Sequence, residues 1–202
     1  MNWTTLADEN TVRQTMAALK ANNIDAMLMN SGEEAKHKVL AMIPKGAQVF
    51  TMQSMTLKAL ELDTAINESG EYDSVRNILN TLDRATQGRE MKKLGSAPDW
   101  TVGSVHAVTQ DGHLMIASNT GSQLAAYASG ASHVIWIVWT QKIVKNHEEG
   151  FKRIYEHSLP LESERLQKLY NIQSSVNKIL IIDKESMPGR SAVIFVPEVL
   201  GF

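Results

Sequence analysis

The sequence contains no cysteine. That excludes disulfides, thiolate nucleophiles, cysteine zinc sites and any iron–sulfur cluster held by this chain's own residues. An excess of charge of one sign is lacking as well: 20 Lys and Arg stand against 22 Asp and Glu, a net charge of −2. The basic surplus of a nucleic-acid binder is missing, so no nucleic-acid partner is expected. The longest apolar run, Val134–Trp139, is far too short to cross a bilayer, and no membrane partner is expected either. The opening residues, MNWTTLADENTVRQTM, carry acids early and lack the apolar segment of a secretory signal. A cytoplasmic location is the expectation.

What remains is an ordinary globular composition, 43% hydrophobic and 21% charged over 202 residues. It is read as one α/β domain over 1–202, with 1–45 as a mostly helical N-terminal part. A first helix starts at Asp8 or Asn10 and turns Val12, Met16 and Leu19 to one side. Strand-like runs at 24–29 and 48–52 alternate with helices capped by Ser31 and Ser54. Such alternation points to a mainly parallel sheet flanked by helices. The stretch from Tyr72 to Leu94 reads as a long helix with Gly88 as its break. Asp111-Gly112 marks a tight hairpin between 107–109 and 114–116. A short helix from Gln123 to Ser129 ends on Gly130 as its left-handed terminator. Val134–Trp139 is a buried strand, and Trp136 and Trp139, three apart, face opposite ways, into core or an interface between copies. Asn146 caps a further helix, Pro160 opens another, and the runs 179–182 and 192–196 complete the sheet.

The candidate ligand site is the loop Ser118-Asn119-Thr120-Gly121-Ser122-Gln123. It stands where a strand hands over to a helix, the usual ligand position in open α/β folds. Backbone N–H groups at Gly121, Ser122 and Gln123 would be free there, and Gly121 has no Cβ to keep a phosphate or carboxylate away. The competing reading is that Asn119 or Thr120 only caps the helix. Secondary candidates are His106, beside the hairpin, Glu162 and Arg165 in "PLESER", and Asn177 and Lys178 at the front of a strand. No His-x-His or His-x-x-x-His spacing occurs, so a metal site would need partners from far along the chain, and none is expected. The nucleophile elbow, the dinucleotide fingerprint and the P-loop motif are all absent from the sequence.

The run "TVGSVHAVTQDGHLMIASNTGSQLAAYASGASHVIWIVWTQKIVKNHEEG" resembles the LUD-domain family, named for its link to lactate utilisation. The likeness continues through "IYEHSLPLESERLQKLY" and "SSVNKILIIDKE", and back to "SMTLKAL". The resemblance implies the α/β fold of glucosamine-6-phosphate deaminase, ribose-5-phosphate isomerase and the CoA transferases. It also implies a small anionic metabolite as ligand, a non-redox part in an L-lactate utilisation system, and iron–sulfur subunits as partners; a homo-oligomer is a further expectation, and no cofactor is expected. The alternative is an autonomous sugar-phosphate isomerase or deaminase with Asp111 or Glu162 as general base. Two positions depart from the family pattern. Asn119 stands where relatives have an acid before Thr-Gly, and an amide cannot form the reactive anhydride of CoA transfer. Trp139 stands where relatives often have glycine before Thr140-Gln141-Lys142, and would crowd a ligand contacting that backbone.

Overall fold

The computed structural model describes residues 2–199 and 201. Helix α1 (Glu9–Ala21) is capped by Asp8, which accepts from the Thr11 amide, and it buries Val12, Thr15 and Leu19. It leads into β1 (Asp25–Leu28), so the first 45 residues contribute a strand to the sheet as well as helices. Ser31 caps α2 (Gly32–Met42), and β2 (Gln48–Thr51) follows. Ser54 caps α3 (Met55–Ala59), and the chain turns at Glu61 into α4 (Leu62–Asn67).

The region expected to form one long helix starts with a two-residue strand, β3 (Asp73–Ser74), and then divides into α5 (Val75–Thr81) and α6 (Arg84–Ser96). One division falls at Leu82-Asp83, and a kink at Gln87 (φ −117°, ψ 19°), beside the expected break at Gly88, interrupts α6 as well. Asp83 supplies the reason for the first, because its carboxylate accepts from the Ala85 amide and opens a new helix.

The remaining elements are β4 (Trp100–Gly103), β5 (Ala107–Thr109), β6 (Leu114–Ser118), β7 (His133–Trp139), β8 (Ile143–Val144), α7 (His147–Arg153), α8 (Leu159–Tyr170), β9 (Lys178–Ile182) and β10 (Ser191–Val196). Six strands form a wholly parallel sheet in the order β1-β10-β7-β4-β2-β3. A second sheet, β8-β5-β6-β9, holds the expected Asp-Gly hairpin. The run 179–182 belongs to this second sheet, whereas 192–196 lies inside the first.

Alternation along β7 divides the core. Val134, Trp136 and Val138 join α1 and the inner residues Val108, Leu114 and Ile116 of the small sheet. Ile135, Ile137 and Trp139 pack against α2, α3 and α4 on the other side. Both tryptophans are fully buried, so neither supplies an interface between copies. The outer side of the small sheet packs on Ile154, directly after α7.

Two helical segments depart from α geometry. Ala126–Gly130 forms a π turn, and Gly130 lies inside it without the left-handed φ expected of a terminator. Its lack of a side chain serves a close approach instead, since a Cβ there would sit 1.7 Å from the Ser96 carbonyl oxygen. A second π turn, Ile154–Ser158, joins α7 to α8, so the two helices expected there form one interrupted helix. Among the described residues no helix is long and apolar enough to cross a membrane.

Candidate functional site

Two neighbouring strands of the large sheet, β4 and β7, run on into the small sheet. The first crosses through Ser104-Val105-His106 into β5, the second through Thr140-Gln141-Lys142 into β8, and β5 and β8 pair in parallel again. The crossings lie at the carboxyl ends of the parallel strands, where open α/β sheets place ligands. Between them, the end of β6 and α8 lies a cleft of about 570 Å³.

The cleft is cationic. Its lining includes Lys58, Arg76, Arg84, Lys142 and Arg165 against a single carboxylate, Glu162. Both Glu162 oxygens accept from Arg165, each at 2.7 Å, so the acid is already matched. In a chain of net charge −2 this concentrates positive potential at one place.

At the floor, Lys142 is 2% exposed. Its Nζ donates to the Val105 carbonyl at 3.1 Å, Ser104 Oγ at 3.1 Å and Thr56 Oγ1 at 3.4 Å, all neutral oxygens. Burial, reinforced by the positive charge of Arg153, pushes the amine well below its ordinary 10.5. Arg153 is fully buried behind it. Its Nη1 donates to the His106 carbonyl at 2.6 Å and Ser158 Oγ at 3.1 Å, while Nε and Nη2 have no hydrogen-bond partner among the described residues. Burial and these two cations push the His106 imidazole down to about 3, so it is neutral at ordinary pH. Its Nδ1 accepts from the Ala117 amide. Arg76, over the Phe50 ring, donates to the Thr51 carbonyl.

The predicted loop forms part of the rim through Ser118, Asn119, Thr120, Ser122 and Gln123. Two of the three amides expected to be bare, those of Gly121 and Ser122, are not. The Gly121 amide donates to Ser118 Oγ at 2.8 Å and the Ser122 amide to Thr120 Oγ1 at 3.3 Å. Gly121 does have a left-handed φ of +83°, but the open space beside it holds Lys178, whose Cδ would lie 2.7 Å from a Cβ. The helix behind the loop amounts to Leu124-Ala125 running into the π turn, too short to build a macrodipole. The loop therefore meets the cleft mainly with side chains, without the cradle of three free amides expected from the sequence.

His106, Glu162 and Arg165 are brought to the same cleft. Asn177 and Lys178 are not among its lining residues; they brace the loop, Asn177 Nδ2 donating to Asn119 Oδ1 at 3.2 Å. Asp111, at the far end of the hairpin, is also outside it. Trp139 is extended, with φ −68°, and packs into the opposite core, so the family departure there leaves Lys142 unobstructed. Sequence reasoning missed Lys58, Arg76, Arg84 and Arg153, and noted Lys142 only within a motif. The available signal was a lysine three residues after the apolar run Val134–Trp139, close behind a strand read as buried.

The profile of the LUD domain family matches residues 12–196. The chain belongs to the LUD-domain family. A solved structure of a DUF162 family protein from Deinococcus radiodurans superposes with a TM-score of 0.58 at 11% identity, covering 96% of this chain and all of that one. That likeness supports the α/β fold and extends no further. A search of curated protein sequences finds no match. In this LUD domain the variant position Asn119 is exposed at the cleft rim, where it takes a hydrogen bond from Asn177.

Proposed function

We propose that this LUD domain binds a small anionic metabolite, a carboxylate or phosphate, in the cleft between its sheets. One observation carries the reading: Lys142 on the cleft floor and Arg153 behind it are fully buried basic side chains, with no carboxylate bonded to either among the described residues. An uncompensated buried charge is costly, and an incoming anion offsets that cost. The rim hydroxyls of Ser118, Thr120 and Ser122 and the amide groups of Asn119 and Gln123 would orient the ligand, and Arg76 and Arg165 would widen the positive field.

Family membership supports a place as a non-redox component of an L-lactate utilisation system. With no cysteine in the chain, iron–sulfur chemistry there would fall to partner subunits. The test is a thermal-shift screen of L-lactate, pyruvate, phosphate and phosphosugars on the wild type and on Lys142→Met. An anion at a hundred times its Kd stabilises by about 2.7 kcal/mol. A stabilising anion whose effect is lost in the variant is the expected result. Equal shifts in both proteins, or none in either, overturn the reading.

A sugar-phosphate isomerase or deaminase remains the second reading, with an observation of its own. A buried amine of lowered proton affinity beside a cavity is poised as a base or carbonyl nucleophile. The carboxylates first considered fit this role poorly, since Asp111 is outside the cleft and Glu162 is bound by Arg165. Turnover of a phosphosugar that disappears in Lys142→Met would favour this reading over simple binding.

A further inference from the structure

At the end of the small sheet away from the cleft, three residues distant in sequence converge. His113 follows the hairpin turn before β6, His147 is the first residue of α7, and Asp183 follows β9. His113 Nδ1 lies 2.9 Å from His147 Nε2, and Asp183 Oδ1 is 3.5 Å from the first and 3.9 Å from the second. Asp111 Oδ1 stands 4.0 Å from His113 Nδ1. The histidines are partly buried and each sits on a separate element, so the convergence is a product of tertiary structure.

These spacings match a small ion's coordination shell. Donors about 2.1 Å from a tetrahedral zinc-class ion stand about 3.4 Å from one another. A single shared proton satisfies the two facing nitrogens, and a second would set two like charges against each other. With both imidazoles neutral, the carboxylates of Asp111 and Asp183 leave a charge that a divalent cation neutralises. Two imidazoles with carboxylate oxygen suit borderline ions such as zinc or cobalt better than calcium or magnesium, which prefer oxygen alone.

We propose that His113, His147 and Asp183, with Asp111 near the remaining position, bind a divalent zinc-class ion that clips the hairpin, the start of α7 and the end of β9 together. The site is separate from the cleft and does not depend on the anion reading. It is tested on the full chain without a histidine tag, by calorimetric titration of Zn²⁺ and by the visible absorption of bound Co²⁺. The expected result is one ion per chain, a tetrahedral cobalt spectrum and a higher melting temperature with metal. His113→Ala, His147→Ala and the exposed Asp183→Asn should each weaken zinc by at least about tenfold. His37→Ala, removing a histidine that pairs with Glu33 on an exposed helix face, should leave the affinity unchanged. Melting temperatures without metal identify the variants that still fold, and Asp183→Asn carries the test if a histidine variant does not. Absence of saturable binding, or binding that survives these substitutions, overturns the proposal.

Discussion

Replacing Lys142 by methionine probes the cost of burying its amine, because the apolar stem is nearly kept and the titratable Nζ is lost. In the folded chain, burial and Arg153 hold the amine well below 10.5, whereas unfolding exposes it and restores the ordinary value. Between those two values the unfolded chain carries a proton that the folded chain does not. Stability therefore rises with pH across the window and levels off above 10.5, where both states are neutral. The limiting slope for one proton is about 1.4 kcal/mol per pH unit. The variant also strips a donor from Val105, Ser104 and Thr56, which costs about 1–3 kcal/mol for groups left unsatisfied. That cost does not depend on pH, so it displaces the variant's curve without tilting it. Urea unfolding of both proteins from about pH 7 to 10 yields the two slopes, and the wild type should be steeper by up to the one-proton limit. Saturating phosphate should flatten the wild-type curve, because a bound anion stabilises the ammonium. Parallel curves would show that Lys142 titrates alike in both states and would remove the main support for a buried amine whose charge the fold leaves uncompensated.

The same cleft yields a second test. Glu162→Ala removes the only carboxylate of the lining and should tighten inorganic phosphate severalfold in calorimetry, while stability changes by less than about 1 kcal/mol because the pair is partly exposed; weaker phosphate binding would mean that Glu162 itself orients the ligand. Gly130→Ala drives a Cβ into the Ser96 carbonyl and should cost at least about 1–3 kcal/mol, read as a lower urea midpoint at unchanged m-value. Glu185→Ala leaves Arg190 buried without its 2.6 Å partner and should cost about 3–5 kcal/mol by the same assay. Arg190 keeps its bonds to the Ala126, Tyr127 and Ala131 carbonyls, so the loss measures the missing charge and not a collapsed network.

Local chemistry made much of this fold readable. Asp8, Ser31, Ser54 and Asn146 each cap the helix that their position announces, because a capping oxygen acts within three residues of itself. The Asp111-Gly112 hairpin is equally local. Failures came where distant groups decide. Both π turns insert a residue into a helix whose composition is unremarkable, and Gly130 is explained only by Ser96 across the fold. The cleft lining comes from seven or more separate segments, so no window of sequence contains it. The candidate loop lines the cleft, but the Gly121 and Ser122 amides expected to be free are taken by the Ser118 and Thr120 hydroxyls, in line with the competing reading of Thr120 as a cap.

The buried cations have a structural use as well, and the difference between that use and ligand binding can be read from their hydrogen bonds. Where β4 and β7 leave one sheet for the other, the ladder is interrupted and main-chain carbonyls lose their cross-strand partners. Lys142 takes up the carbonyl of Val105 and Arg153 that of His106, each on the β4-to-β5 crossing. Lys142 alone could be retained for this purpose, since its three protons have three acceptors. Arg153 exceeds it: one nitrogen holds the crossing, while Nε and Nη2 remain buried without a protein acceptor among the described residues. Leaving two such donors unpaired costs more than a carbonyl bond returns, so a clasp alone would favour a shorter, neutral donor. Under the proposed reading, an anion held at Lys142 would set negative charge in front of this guanidinium, which lies behind that lysine and does not itself line the cleft.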